Sequence, residues 1–264
     1  MIRLIASDLD GTLVREGTTD INPEYYITIR KLYERGIHFC ACTGRQYLSA
    51  LRLLEPVKDL CFFIAEGGSL LRDTGKIYEA RTFPDGVLPG IYSFCRTYPG
   101  ADLYAADADY SYTETGRDAE ICRLLTDGYG FTVKNLSSLE DLPLETVIKL
   151  ALYHTSDVVT MEQAFRELPE SRKVDFIRSG VHWIDVCPPG VRNGSALSSL
   201  QRHLGIAPGE TMVFGDNQND ISMFHAASQS FAVGNALPEV KKAASRVIGD
   251  CAEDAVLAEM KKLL

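Results

Sequence analysis

The feature that most constrains this chain is the junction at Leu4-Ile5-Ala6-Ser7-Asp8-Leu9-Asp10-Gly11-Thr12-Leu13, where an apolar run stops at two carboxylates, a glycine and a threonine. Ile2, Leu4, Ile5 and Ala6 have the make-up of a short strand buried on both faces, as in a parallel sheet. Residues two apart on an extended chain share a face, so Asp8 and Asp10 are expected to project towards one spot beyond the strand's carboxyl end, where open α/β sheets bind ligands. Two like charges held so close repel, and the pair is stable only with a cation between them or a proton on one. Both conditions suit phosphoryl transfer, in which Mg²⁺ neutralises phosphate oxygens while one carboxylate attacks and another moves a proton. Gly11 permits the sharp turn, and Thr12 offers a hydroxyl and an N–H to a phosphate. An Asx-type turn, in which both carboxylates only cap backbone amides, accounts for the same four residues. The rest of the chain has to choose between these readings.

Beyond this junction the pattern alternates. Asn22-Pro23-Glu24 reads as a capped helix start, and Tyr26, Ile29, Leu32 and Tyr33 recur at helical spacing until Gly36. Ile37 to Cys42 is a second strand, running into Thr43-Gly44-Arg45. A helix through Leu48, Leu51, Leu53 and Leu54 ends before Pro56, and Cys61 to Ala65 is a third buried strand. Leu70 to Arg72 and Lys76 to Tyr78 make a hairpin around Asp73-Thr74-Gly75. This order of strand and helix implies a parallel sheet with right-handed crossovers.

Between Phe83 and Asp185 the rhythm changes. Helices are expected over Val87 to Tyr98, Ala119 to Asp127 and Asp157 to Leu168, among short strands near Ala101 to Ala105, Tyr110 to Thr113, Val147 to Tyr153, Val174 to Ile177 and Val181 to Val186. Tight turns such as Arg178-Ser179-Gly180 point to an antiparallel sheet with helices on one face. Phe83-Pro84-Asp85-Gly86 and Cys187-Pro188-Pro189-Gly190 bracket the region. The expectation is an inserted α+β cap, residues 83–187, in a doubly wound α/β core formed by residues 1–82 and 188–264. After the insert the first pattern resumes. A helix through Ala196, Leu197, Leu200 and Leu204 precedes the buried strand Thr211 to Phe214, which runs into Gly215-Asp216-Asn217-Gln218-Asn219-Asp220.

Length allows one large domain or two modest ones. A net charge of −9 disfavours nucleic acid and anionic membranes as partners, though a metal and a few arginines can reverse the potential at one anion site. No apolar stretch has membrane-spanning length, and the start breaks into acid too early for a signal peptide, so a cytoplasmic protein is expected. The seven cysteines lie mostly in apolar surroundings, and Cys40-x-Cys42 is no metal spacing, so they read as reduced packing residues. The five histidines show no ligand spacing either.

Three strands therefore end in polar clusters, Asp8 to Thr12, Thr43 to Arg45 and Gly215 to Asp220, which a parallel sheet would gather on one edge. With their order and the intervening insert, the chain resembles the haloacid dehalogenase-like phosphotransferases, most closely the Cof-type or type IIB branch, over essentially its whole length. The resemblance implies a Mg²⁺-dependent phosphatase of small phosphate esters, sugar phosphates first among them. Asp8 would be the nucleophile that becomes an aspartyl-phosphate, and Asp10 the acid and base. Thr43, with Gly44, Arg45 and neighbouring N–H groups, would hold the phosphoryl group together with Asn219. Mg²⁺ would sit on Asp8, the Asp10 carbonyl and Asp216, with Asp220 behind.

Two positions depart from the family pattern. Gly190-Val191-Arg192-Asn193-Gly194 puts Asn193 where a Lys usually offsets the carboxylates and binds phosphate, leaving Arg192 or Arg45 to supply the charge. Gly67 stands where Asn is common, so a mobile Glu66-Gly67-Gly68 loop is expected beside the cleft. Two alternatives stay open: a weakly active or inactive phosphometabolite-binding regulator on the same scaffold, and a phosphomutase or phosphotransferase. A monomer or homodimer with a small-molecule substrate is expected. In the lid, Tyr104, Tyr110, Tyr112, Arg178 and Trp183 are candidate substrate contacts, although Tyr and Trp there read more readily as lid core.

Overall fold

The opening apolar run forms β1 (Leu4–Ser7), buried along its whole length, with Asp8 the first residue beyond it. The computed structural model describes residues 1–16, 18–114, 122–179 and 181–264, and these group into two units, 1–79 with 192–264, and 80–191.

In the first unit α1 (Glu24–Glu34) buries Tyr25, Ile29 and Leu32 at helical spacing, and Asn22 Oδ1 accepts from the Glu24 N–H at its start. β2 (His38–Cys42), α2 (Tyr47–Leu53) and β3 (Cys61–Ala65) follow, with Pro56 setting off a 3₁₀ segment, Glu55–Leu60, after α2. β4 (Leu70–Arg72) and β5 (Ile77–Ala80) close this part.

The second unit holds α3 (Leu88–Thr97), β6 (Ala101–Ala106), β7 (Ser111–Glu114), β8 (Val133–Leu136), β9 (Lys149–His154), α4 (Val158–Arg166), β10 (Asp175–Arg178) and β11 (Trp183–Cys187). Its sheet runs β10-β11-β9-β6-β7-β8. Neighbouring strands in it pair antiparallel except β7 and β8, which pair parallel. The antiparallel sheet expected from the sequence thus carries one parallel pair at that edge. Parallel neighbours need a long crossover, and the stretch from Glu114 to Val133 is long enough to supply one. One face, with Leu103, Leu150, Leu152, Ile184 and Val186, packs on Ile91, Tyr92, Met161 and Phe165 of α3 and α4. The helix expected over Ala119 to Asp127 lies outside the described residues for its first part, and its remainder includes one π-helical turn, Leu124–Gly128. Gly180 of the expected Arg178-Ser179-Gly180 turn also lies outside them.

The chain then returns to the first unit with α5 (Asn193–Leu204), β12 (Thr211–Gly215), α6 (Ile221–Phe224), β13 (Gln229–Ala232), α7 (Pro238–Ala243), β14 (Arg246–Val247) and α8 (Ala255–Lys261). Its sheet runs β14-β13-β12-β1-β2-β3-β4-β5, parallel from β14 to β3 and antiparallel at β3 and β4. Strand order reverses at β1, which lies between β2 from one side of the insertion and β12 from the other. That switch point is where ligands bind in open α/β sheets. Among the described residues no helix is long and apolar enough to cross a membrane.

Candidate active site

Asp8 and Asp216 each follow the last residue of neighbouring parallel strands, β1 and β12. The Asp8 N–H carries the ladder one step further by donating to the Phe214 carbonyl at 3.1 Å. Gly11, at φ 76°, turns the chain back over Asp216, and a Cβ there would stand 2.4 Å from Asp216 Oδ2. Asp220 ends the turn after β12, and its Oδ2 accepts from the N–H groups of Asp216 at 2.9 Å and Asn217 at 3.0 Å. Each of Asp8, Asp216 and Asp220 thereby offers an oxygen within 4.8 Å of the others.

Burial and mutual repulsion act on this cluster together. Asp8 is only 5% exposed, and burial first, then the charges of Asp220, Asp216 and Asp10, hold its carboxyl well above the usual range. Burial pushes Asp220 up to about 7, with Asp216 adding to the shift and its two amide bonds opposing it. Asp216 is pushed up to about 6, again chiefly by burial, while the Thr12 hydroxyl, 3.4 Å from its Oδ1, pulls the other way. Asp8 Oδ2 and Asp220 Oδ1 are buried without a hydrogen-bond partner. Orphaned oxygens in an all-oxygen donor set fit a hard divalent cation such as Mg²⁺.

The carboxylate of Asp10 is engaged elsewhere. Arg45 donates to both of its oxygens, from Nε at 2.6 Å and Nη2 at 2.5 Å, and Nη2 also reaches the Thr18 carbonyl at 2.7 Å. Thr43 is buried just beyond β2, and its hydroxyl oxygen accepts from the Arg45 N–H at 3.1 Å, so Thr43, Gly44 and Arg45 form one tight turn. The loose Glu66-Gly67-Gly68 loop is corrected here. Glu66 N–H donates to the Arg45 carbonyl at 3.0 Å and Gly67 N–H to the Thr43 carbonyl at 3.1 Å, which pins one loop against the other. Glu66 sits at φ 52°, an unusual value for a side-chain-bearing residue.

Asn193 opens α5 and is 1% exposed, with neither Oδ1 nor Nδ2 hydrogen-bonded. Arg192 is exposed, and its N–H donates to Ser195 Oγ at 3.0 Å. Asn219 is also exposed, its carbonyl accepting from Ser222 Oγ at 3.0 Å. The structure therefore gathers Asp8, Asp216 and Asp220, ties Asp10 to Arg45, and buries Asn193 where its neighbour Arg192 meets solvent. Sequence reasoning missed Asn235. Its Nδ2 donates to the Gly11 carbonyl at 2.7 Å and its Oδ1 accepts from the Cys251 N–H at 3.0 Å, while the nearby Leu237 N–H donates to the Asp216 carbonyl at 3.0 Å. The signal was present, since Ser230 to Val233 is another apolar strand that runs into a glycine and a polar residue.

A family model described as haloacid dehalogenase-like hydrolase matches residues 5–260. The 5-amino-6-(5-phospho-D-ribitylamino)uracil phosphatase YbjI of Escherichia coli is 27% identical over 100% of this chain and 96% of its own length. A solved structure from Eubacterium rectale is 33% identical with a TM-score of 0.88, covering 100% of this chain and 99% of that one. The HAD subclass IIB sugar phosphatase BT4131 shares the fold at 24% identity, with a TM-score of 0.81 over 99% of this chain and 98% of its own. Fold, acidic cluster and comparisons together define the class, a phosphoric monoester hydrolase. The chain belongs to the haloacid dehalogenase-like hydrolase family, and its architecture is that of subclass IIB.

Proposed function

We propose that the chain is a Mg²⁺-dependent phosphatase of small phosphorylated metabolites, sugar-type phosphates first among them, working through an aspartyl-phosphate on Asp8. The observation that carries this reading is the convergence of Asp8, Asp216 and Asp220, with orphaned oxygens, at the switch point of the sheet. Mg²⁺ held by Asp8, Asp216, Asp220 and the Asp10 carbonyl would quench repulsion among the acids and withdraw charge from phosphate oxygens. Asp8 attacks phosphorus, the ester P–O bond breaks, and Asp10 gives its proton to the leaving oxygen. Asp10 then takes a proton from water, which attacks the acyl phosphate at phosphorus and releases inorganic phosphate with Asp8 restored. To carry that proton Asp10 must give up a bond to Arg45, because both of its oxygens now accept from the guanidinium. Thr43, Gly44, Arg45, Arg192, Asn193 and Asn219 are the proposed phosphoryl-binding residues, with the buried amide of Asn193 the candidate donor on α5.

The E. coli relative's name specifies a phosphate on a ribityl chain, which supports a polyol- or sugar-type ester here. A second reading, a phosphometabolite-binding regulator, draws on Asn193 as a neutral side chain where the family has a cation. The test is phosphate release from a panel of esters, with Mg²⁺ and with chelator. Metal-dependent release supports the phosphatase. Tight ester binding without release supports the regulator. Phosphate moved to an added sugar, instead of to water, would mark a mutase or phosphotransferase.

A further inference from the structure

Asn193 has one more polar atom than a phosphoryl group can satisfy. It opens α5, is 1% exposed, and neither its Oδ1 nor its Nδ2 is hydrogen-bonded. Its backbone is wedged against the loop after β3, where a Cβ on Gly68, at φ 103°, would stand 2.8 Å from the Asn193 nitrogen. On the other side the Ser222 hydroxyl accepts from the Gly194 N–H at 3.0 Å and donates to the Asn219 carbonyl at 3.0 Å. One hydroxyl thus ties the first turn of α5 to the turn that ends in Asp220, whose Oδ1 is likewise buried without a partner. A phosphoryl group has only acceptor oxygens, so it takes a hydrogen bond from Nδ2 and offers nothing to the amide oxygen. Ionised carboxylates are acceptors too. A buried amide oxygen beside them costs free energy unless a donor or a cation meets it.

Charge favours the cation. One divalent ion does not balance three ionised carboxylates, and the guanidinium of Arg45 is bonded to Asp10. A neutral amide and one shared carboxylate oxygen make a poor second Mg²⁺ site, because that ion demands regular octahedral geometry and sheds water reluctantly. Potassium, by contrast, takes carbonyl oxygens in place of its water. We propose that Asn193 Oδ1 and Asp220 Oδ1 form a site for a monovalent cation of the potassium class beside the divalent centre. A carboxylate oxygen has two lone pairs, so Asp220 Oδ1 can serve both ions. The monovalent ion returns one positive charge to the acidic cluster and holds the amide with Nδ2 free for the phosphoryl group. That last role rests on the phosphatase reading; the binding of the ion does not.

The test is the melting temperature of the full-length protein with Mg²⁺, in KCl and in tetramethylammonium chloride of equal ionic strength. KCl should raise it by about 3 °C, the shift expected when potassium stands at about ten times its dissociation constant. Asn193→Lys puts an ammonium in the place of the ion, so its melting temperature should be the same in both salts. Should that variant fold poorly, thallium(I), a stand-in for potassium, gives a second readout on the parent: its NMR line should broaden in the presence of the protein and sharpen again when KCl is added. Equal melting of the parent in the two salts, or a thallium line that KCl does not restore, would overturn the proposal even if phosphate esters are hydrolysed. A KCl effect that persists in Asn193→Lys would place the ion elsewhere and overturn it as well. A potassium-specific rise without hydrolysis of any ester would leave the site standing and reject the phosphatase reading.

Discussion

Asp220 shows how one side chain can shape the site and strain it. Its Oδ2 fixes the turn after β12 through two amides, while its Oδ1 is buried with no partner. Asp220→Asn keeps an acceptor for those amides and removes one of the crowded charges. The metal-free variant should therefore melt higher than the parent above about pH 7, and its Mg²⁺ affinity by calorimetry should fall about tenfold or more. A lower melting temperature there would mean that the acids do not repel as argued. Asn235 makes the opposite case, since both ends of its amide are used. Asn235→Ala leaves the Gly11 carbonyl and the Cys251 amide without their partner and should lower stability by about 1–3 kcal/mol in denaturant titrations. Asn235→Asp still accepts from Cys251 but sets a carboxylate oxygen against the Gly11 carbonyl, so it should lose at least as much as Asn235→Ala.

At the scale of elements, the apolar runs of β1, β2, β3 and β12, each ending in a polar cluster, were legible because buried parallel strands read as continuous hydrophobic segments. The convergence of Asp8 with Asp216 and Asp220 followed from those strands sharing one edge. Side-chain pairing was not legible in the same way. Nothing in the spacing of Asp10 and Arg45 shows that the guanidinium takes both carboxylate oxygens, because that depends on how two loops lie against each other. The pinned Glu66 turn and the brace from Asn235 were missed for the same reason, and the parallel β7 and β8 pair because it is joined through a long connection. The start of α5 offers a direct test of such packing. A Cβ on Gly194 would stand 2.1 Å from the Ser222 carbonyl oxygen, and backbone cannot swing aside as a flexible side chain can. Gly194→Ala should cost about 1–3 kcal/mol, read from the denaturation midpoint, and disturb the neighbouring Asn193.

For the whole molecule the acidic cluster sets a pH dependence that opposes the usual trend for carboxylates. Asp216 and Asp220 titrate from an ordinary 3.8 up to about 6 and about 7 in the folded chain, and Asp8 is displaced in the same direction. Between those values the native state binds more protons than the unfolded chain, so the stability of the metal-free protein should fall as pH rises from about 4 to about 7. The proposed Mg²⁺ would bind the ionised cluster, so it should raise the melting temperature more at about pH 8 than at about pH 5. A flat profile in both conditions would show that the three acids do not act as one unit. Carboxylates from opposite ends of the chain are proposed to make a single cation-dependent centre with Asp8 as nucleophile. Phosphate release by the parent and by Asp8→Asn, each with Mg²⁺ and with chelator, tests it most directly. The parent should release phosphate only with the metal and Asp8→Asn not at all, whereas equal release by both proteins, or release unaffected by the chelator, would contradict the account.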